Sequence, residues 1–192
     1  MHKFLAALSA LVLVTSVVFA VQPVEEQEFI LKLGIQPQSS INFSGGKETA
    51  NIGVAGGFEY YKYFTNIIAA GAGALYELPR EFKDSIKTGS LSYLPIFVGV
   101  KLRTPVQGLS RNYGFAAARI GYSSLITNGV SDWMKSATGG LYYAGGLGLS
   151  LDWFVFEAVY SGNNISYKNV INGKNETATT STITIFAGVK FE

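Results

Sequence analysis

The sequence contains no cysteine and only one histidine, His2, among its 192 residues. The absence of cysteine excludes disulfide bonds, thiolate metal sites, a cysteine nucleophile and a lipid-modified cysteine. Charged residues are scarce as well, at 15% of the chain, against about a quarter in a typical domain. The net charge of +2 is too small to indicate a nucleic-acid partner.

Long hydrophobic runs are also missing beyond the N-terminus, where no apolar stretch reaches the roughly 18 residues that a membrane-spanning helix needs. Nevertheless, hydrophobic residues make up 48% of the chain and aromatic residues 14%, and there are 22 glycines. The mean hydropathy is +0.24. A chain so apolar and so poor in charge is unusual for a soluble protein.

The first twenty residues are typical of a secretory signal peptide. Lys3 supplies the positive charge, an apolar stretch follows, and Val18 and Ala20 are the small residues of a cleavage site. Residues 1–20 are therefore predicted to be removed on export, together with His2. Residues 21–26 are predicted to be a flexible segment and residues 27–192 to form one domain.

From residue 27 onward, apolar side chains recur at every second position, which predicts β-strands rather than helices. Eight segments show this pattern: 27–36, 51–61, 66–78, 91–103, 113–123, 139–151, 153–161 and 180–191. The opposite faces carry mostly glycine and alanine, with about one charge per strand. Such faces cannot solvate the outside of a soluble sheet, but they fit the narrow interior of an eight-stranded barrel.

The links between these segments alternate in length. Long links are predicted at 37–50, 79–90, 124–138 and 162–179, and shorter ones at 62–65, 104–112 and 152. Outer-membrane barrels have short turns on the periplasmic side and longer loops outside. The pattern therefore predicts an all-β fold, an eight-stranded antiparallel up-and-down transmembrane β-barrel with both termini on the periplasmic side.

Aromatic residues occur where the two membrane interfaces of such a barrel are expected. We predict that they form two girdles, one near the short turns and one nearer the long links. The predicted girdles comprise Phe58, Tyr60, Phe154 and Phe191 at the short-turn end, and Tyr76, Tyr122, Tyr143 and Tyr160 at the other.

The pattern resembles small bacterial outer-membrane barrels of the OmpA, OmpX and OmpW kind. Local stretches that carry the resemblance are 93–101, 142–148 and the last strand. The last strand looks like the C-terminal signal that the barrel-assembly machinery reads, except that Glu192 follows the final aromatic residue, Phe191. The resemblance implies an outer-membrane location, contact with outer-membrane lipid and a monomer.

Five charged residues face inward on this alternation and fall in the periplasmic half: Lys32, Glu59, Lys101, Arg119 and Glu157. Because buried charges must be paired, we predict a plug in which Arg119 and Lys101 contact Glu59 and Glu157, with Lys32 nearby. The resemblance implies a similar interior network. The alternative is a set of separate charges surrounded by trapped water.

Catalysis is not expected. Enzymes among small outer-membrane barrels use a histidine as base or relay, and His2 falls in the predicted signal peptide. Glu59 and Glu157 remain a formal acid–base pair, but a narrow interior leaves no room for a substrate. No metal site and no cofactor are expected.

The leading functional prediction is therefore a structural or surface-interaction protein whose long links face outward, with 162–179 as the expected contact with a surface ligand. Two alternatives stay open at this point. One is a narrow passive channel for small or apolar solutes, and the other is a secreted soluble barrel that binds an apolar ligand.

Overall fold

The computed structural model describes residues 26–43, 46–80, 91–104, 112–126, 134–169 and 173–192. Ten antiparallel strands make up almost all of these residues. They are β1 (Gln27–Phe43), β2 (Gly46–Ala50), β3 (Gly53–Tyr63), β4 (Ile68–Arg80), β5 (Leu91–Arg103), β6 (Tyr113–Ile126), β7 (Met134–Thr138), β8 (Gly140–Leu151), β9 (Phe154–Asn169) and β10 (Asn175–Phe191).

Eight of these strands close into a barrel in the order β1-β3-β4-β5-β6-β8-β9-β10, because β10 pairs with β9 on one side and with β1 on the other. Each of these eight barrel strands, which we call staves, pairs with its neighbour in the barrel. Phe29 lies opposite Phe191 where the first and last strands pair to close the barrel. The predicted eight-stranded antiparallel up-and-down barrel is confirmed. The two short strands, β2 and β7, pair with β1 and β9.

Side chains alternate between the two faces of every stave. Those predicted to point outward are exposed, for example Leu33 and Leu147 at 70% and Val98 at 61%. The other face is buried and holds most of the charge in the barrel wall. No helix in the described ranges is long and apolar enough to cross a membrane.

The turns at one end of the barrel are tight. Between β8 and β9 only Asp152 and Trp153 intervene, and Asp152 adopts a positive φ of 55°. Aspartate tolerates this left-handed conformation better than most residues do, which suits a two-residue hairpin. The Asp152 N–H donates to Asn112 Oδ1 at 2.9 Å, which ties this turn to the neighbouring β5–β6 link.

Three of the predicted long links are mostly strand, which corrects the sequence prediction. The 124–138 link contains the end of β6 and all of β7. The 37–50 link contains the end of β1 and all of β2, and the 162–179 link contains the upper parts of β9 and β10. Asn and Ser are frequent in these stretches and also occur often in turns. Ladder pairing from Asn175 opposite Lys168 to Thr180 opposite Asn163 instead continues the strands, and the threonines there favour extended backbone.

Two prolines coincide with shifts in register. Pro37 lies in the irregularity between Ile35 and Gln38 of β1, and Pro79 in that between Glu77 and Arg80 of β4. Proline cannot donate a ladder hydrogen bond, so a bulge is where a sheet accommodates it. The predicted signal peptide (1–20) and residues 21–25 of the predicted flexible segment lie outside the described residues, as do 81–90, most of 104–112 and 127–133.

Candidate functional site in the barrel interior

Four charged side chains form a closed ring across the middle of the barrel. Lys32 Nζ lies 2.7 Å from Glu59 Oε1 and 3.0 Å from Glu157 Oε2. On the far side, Arg119 Nη2 lies 2.7 Å from Glu157 Oε1, and its Nε lies 2.8 Å from Glu59 Oε1. Two cations and two anions thus alternate, and each contacts both opposite charges. We call these four residues the tetrad.

Glycines beside the tetrad make room for it. Lys32 pairs with Gly57 and Gly188, Glu59 with Gly73, Arg119 with Gly99, and Glu157 with Gly148. Gly146 on β8 comes closest to a tetrad side chain, because a Cβ there would lie 2.4 Å from Glu157 Oε1. The inward-facing glycines therefore provide the volume that four long charged side chains need inside a narrow barrel.

A second group of ion pairs lies below the tetrad, at the short-turn end. Lys101 Nζ contacts Glu28 Oε2 at 2.6 Å, and the Tyr113 hydroxyl donates to the same carboxylate. Arg103 binds Glu26 through two hydrogen bonds of 2.6 Å, a bidentate arrangement that is strong for this pair of groups.

The last residues of the chain join the same group. Lys190 Nζ lies 2.6 Å from Glu192 Oε1 and 3.7 Å from Glu28 Oε1. Carboxylate oxygens of Glu26, Glu28 and Glu192 lie within 4.8 Å of one another. Since these three carboxylates already contact Arg103, Lys101 and Lys190, we interpret the cluster as ion pairs that close the short-turn end.

Above the tetrad lies one more ion pair, and beyond it the interior becomes apolar. Arg80 Nη2 contacts Glu77 Oε2 at 2.7 Å, and the bulge between them puts both side chains inside although they are three residues apart. Higher still is a buried apolar group, which we call the apolar cap: Ile41, Leu91, Tyr93, Ile165, Tyr167 and Ala178. Side chains therefore occupy the described interior from the short turns to the upper strands.

All five predicted network residues are buried and paired with an opposite charge, but the pairing differs in one respect. The prediction placed Lys101 with Glu59 and Glu157 and set Lys32 nearby. In the structure Lys32 completes the tetrad, whereas Lys101 lies lower and pairs with Glu28. Alternation shows which face a side chain occupies but not its height in a tilted strand.

Sequence reasoning missed the partners Glu28 and Arg80. Glu28 shares the inward parity of Lys32, a signal that was available once the first strand was recognised. Arg80 was assigned to a link, because the bulge after Glu77 breaks the alternation on which the prediction depends.

The eight predicted girdle residues all point outward. At the short-turn end, Phe29 stacks against Phe58 with ring centroids 6.0 Å apart and lies 6.4 Å from Phe191. Tyr60 donates to Gln27 Oε1 at 2.9 Å. At the other end, Tyr122 donates to the Gly139 carbonyl at 3.2 Å. Phe154 and Tyr160, at opposite ends of β9, are 57% and 52% exposed, and Tyr76 and Tyr143 are 38% exposed.

The arrangement is suited to holding the barrel wall together and not to acid–base chemistry. Each tetrad carboxylate accepts from two cations, and the four side chains are at most 2% exposed. A general base must reach a substrate proton, whereas Glu59 and Glu157 face only their partners. Because the ring links β1, β3, β6 and β9, it braces the barrel from opposite sides.

Comparison with solved structures shows that the fold is shared with small outer-membrane barrels. The chain is similar to the outer membrane protein OprG from Pseudomonas aeruginosa, with 13% identity and a TM-score of 0.56, over 90% of this chain and 98% of that one. Neisserial surface protein A (NspA) is also 13% identical, with a TM-score of 0.52, over 87% of this chain and 100% of that one. No protein-family model and no curated protein matches the sequence. At these identities the likeness establishes the fold.

Proposed function

We propose that this protein is an integral outer-membrane β-barrel with a structural and surface-interaction role. The observation that carries the proposal is the wide belt of exposed apolar side chains around a closed barrel, flanked by aromatic residues at both ends. Barrel closure satisfies the backbone hydrogen bonds of every stave, which is what a strand needs in lipid. Export by a cleaved signal peptide and insertion through the barrel-assembly machinery are part of this proposal.

The interior supports a plugged barrel rather than an open channel. The tetrad, the ion pairs below it and the apolar cap lie one above the other inside the staves. A passive channel would need a continuous water-filled path through these layers. We therefore expect purified protein in planar bilayers to show no steady conductance, and stable conductance steps would contradict the plug.

The non-catalytic part of the proposal depends on the chemistry that the chain offers. Its only histidine lies in the predicted signal peptide, and the buried carboxylates are enclosed by their ion pairs. The role then falls to the surface that extends above the membrane, where β1, β9 and β10 project beyond the aromatic residues. The link predicted to contact a surface ligand, 162–179, forms part of these projecting strands, which we propose as the region for contact with a partner.

Cell fractionation combined with gel mobility tests the proposal. The protein should be found in the outer-membrane fraction, and unboiled samples should migrate differently from boiled ones on an SDS gel, because a closed barrel resists SDS until it is heated. Recovery in the soluble fraction without detergent would contradict the proposal and favour a secreted ligand-binding barrel. The conductance measurement then decides separately whether the barrel is plugged.

A further inference from the structure

The strands that project above the barrel carry a continuous polar face on their outer side. A row of laterally paired residues, which we call a rung, crosses four strands of this face. In it Lys47 lies opposite Asn42, Asn42 opposite Thr179, and Thr179 opposite Asn164. Within this rung the Thr179 hydroxyl donates to Asn164 Oδ1 at 3.1 Å. We call the outward side of these projecting strands the upper outer face.

The next rungs have the same chemistry. Thr177 lies opposite Ser166, and Ser166 opposite Thr138; further up, Asn175 lies opposite Lys168. From Tyr160 to Lys168 the strand rises roughly 25 Å along its own direction. The upper outer face therefore begins at the Tyr160 level and extends well beyond it.

Among the described residues of these strands, the charged side chains with outward parity are lysines. Lys47 and Lys168 are exposed on the outer side. The two glutamates of the same strands, Glu48 and Glu176, have the opposite parity. Glu176 accepts a hydrogen bond from Tyr167, a member of the buried apolar cap, at 2.9 Å. The upper outer face therefore presents hydroxyl, amide and ammonium groups, and the Glu176 carboxylate lines its upper hollow beside Lys168.

Two shallow hollows lie on this face, one above the other. The lower, of about 300 Å³, is lined by Ser40, Asn42, Lys47 and Ser181 above and by Tyr160 and Ile183 below. The upper, of about 400 Å³, is lined by Thr138, Ser166, Lys168, Asn175 and Thr177, and also by Tyr167 and Glu176. Tyr160 and Ile183 belong to the exposed apolar belt, so the lower hollow joins the lipid-facing surface to the polar face.

We propose that the upper outer face binds a phosphorylated glycolipid of the outer leaflet. Acyl chains would pack against Ile183 and Tyr160, and the amide and hydroxyl rungs would hydrogen-bond to sugar hydroxyls. Lys47 and Lys168 would pair with the phosphates. This assignment rests on the proposed outer-membrane location. The continuity of the lower hollow with the apolar belt favours a membrane lipid over a free anionic polysaccharide.

Titration of the purified full-length protein in neutral detergent micelles tests this assignment. The probe is bisphosphorylated, acylated lipopolysaccharide, and bound molecules are counted by native mass spectrometry. Phosphatidylglycerol supplies a matched anionic lipid without sugars, and de-acylated lipopolysaccharide supplies the sugars and phosphates alone. We expect lipopolysaccharide to bind about tenfold more tightly than either, a difference of roughly 1.4 kcal/mol.

Two variants identify the face. Lys47→Gln combined with Lys168→Gln should weaken lipopolysaccharide binding about tenfold. Lys62→Gln removes an exposed lysine at the short-turn end of β3 and should leave the affinity unchanged. All of these proteins should keep the heat-dependent gel mobility of a closed barrel, because the substituted lysines are exposed.

Three results would overturn the assignment. Equal binding of phosphatidylglycerol would reduce the interaction to charge alone. Unchanged affinity in the double variant would place the lipid elsewhere. De-acylated lipopolysaccharide binding as tightly as the intact form would assign the face to a free polysaccharide. Each would leave the outer-membrane proposal intact if fractionation and heat-dependent mobility hold, whereas failure of those two would remove both proposals.

Discussion

The lower and upper parts of the molecule distribute polar and apolar residues in opposite ways. In the lower part of β10, Ile183, Ile185 and Val189 point outward and Lys190 points inward. In the upper part of the same strand, Thr177 and Thr179 point outward, and Ala178 is buried in the apolar cap. β9 makes the same change above Tyr160, since Ser166 and Lys168 point outward and Ile165 and Tyr167 inward.

Under the proposed membrane insertion, this inversion separates the part surrounded by lipid from the part surrounded by water. A strand face that contacts lipid must be apolar, whereas the same face in water is polar and the buried side becomes apolar. The interiors follow the same logic, with ion pairs inside the lower barrel and aliphatic and aromatic side chains inside the upper strands. The level of Tyr160 and Tyr143 is therefore our boundary between membrane and water.

The largest expected effect comes from removing one charge of the tetrad. Glu157→Gln leaves Arg119 and Lys32 sharing a single carboxylate, so one positive charge stays buried without compensation. We expect a loss of about 3–5 kcal/mol of unfolding free energy, measured by reversible denaturant unfolding in detergent micelles. Glu176→Gln in the upper part is the matched control and should cost about 1 kcal/mol, since Glu176 is only partly buried.

Removing a cation with the anion should recover most of that loss. Lys32→Met combined with Glu157→Gln leaves Arg119 with Glu59, which is a balanced pair. Exchanging the charges of Arg119 and Glu157 is a poorer test, because each also contacts a second partner and two like-charge contacts would result. A double variant as unstable as Glu157→Gln alone would mean that the tetrad does not act as a coupled unit.

The outer surface offers the next test of the comparison. Arginine in place of Ile185, which is 52% exposed within the apolar belt, should cost about 2–4 kcal/mol when the protein is in a bilayer. Thr179→Arg places the same side chain on the upper outer face and should change stability by less than about 0.5 kcal/mol. Unfolding in lipid vesicles measures both, and similar costs would contradict the boundary.

The smallest expected effect comes from deleting one methylene group, once in the upper part and once in the lower part. Ile165 is fully buried in the apolar cap, so Ile165→Val should cost about 0.5–1.5 kcal/mol. Ile185→Val removes the same methylene from a side chain that lipid can cover, and we expect a change near zero. If Ile185→Val proves as costly as Ile165→Val in vesicles, the belt is packed against protein rather than lipid.

The sequence predicted the lower part of the molecule well. Strict alternation of apolar residues identified the eight staves, and the bounds of β5 at residues 91 and 103 agree with the segment predicted there. Glycine on the inner face indicated a narrow interior. This success has a physical reason, because outward positions in contact with lipid are apolar, which makes the alternation regular along most of each strand.

The upper part was harder to predict because the contrast between the faces changes sign there. Outward positions become Asn, Ser and Thr, which also occur in turns, so ladder pairing across 162–179 was read as a link. The pairing of Lys101 with Glu28 could not be obtained from alternation either. Strand tilt and shear set the height of each side chain, and only closure of the barrel fixes both.

Labelling of single cysteines in intact cells tests the central claim most directly, because the natural chain has no cysteine to interfere. Thr179→Cys on the upper outer face should react with a membrane-impermeant maleimide, while Ile185→Cys in the belt should stay unreacted until the protein is denatured. Equal labelling of the two, or labelling of Thr179→Cys only after cell lysis, would contradict a barrel that crosses the outer membrane with its upper strands outside.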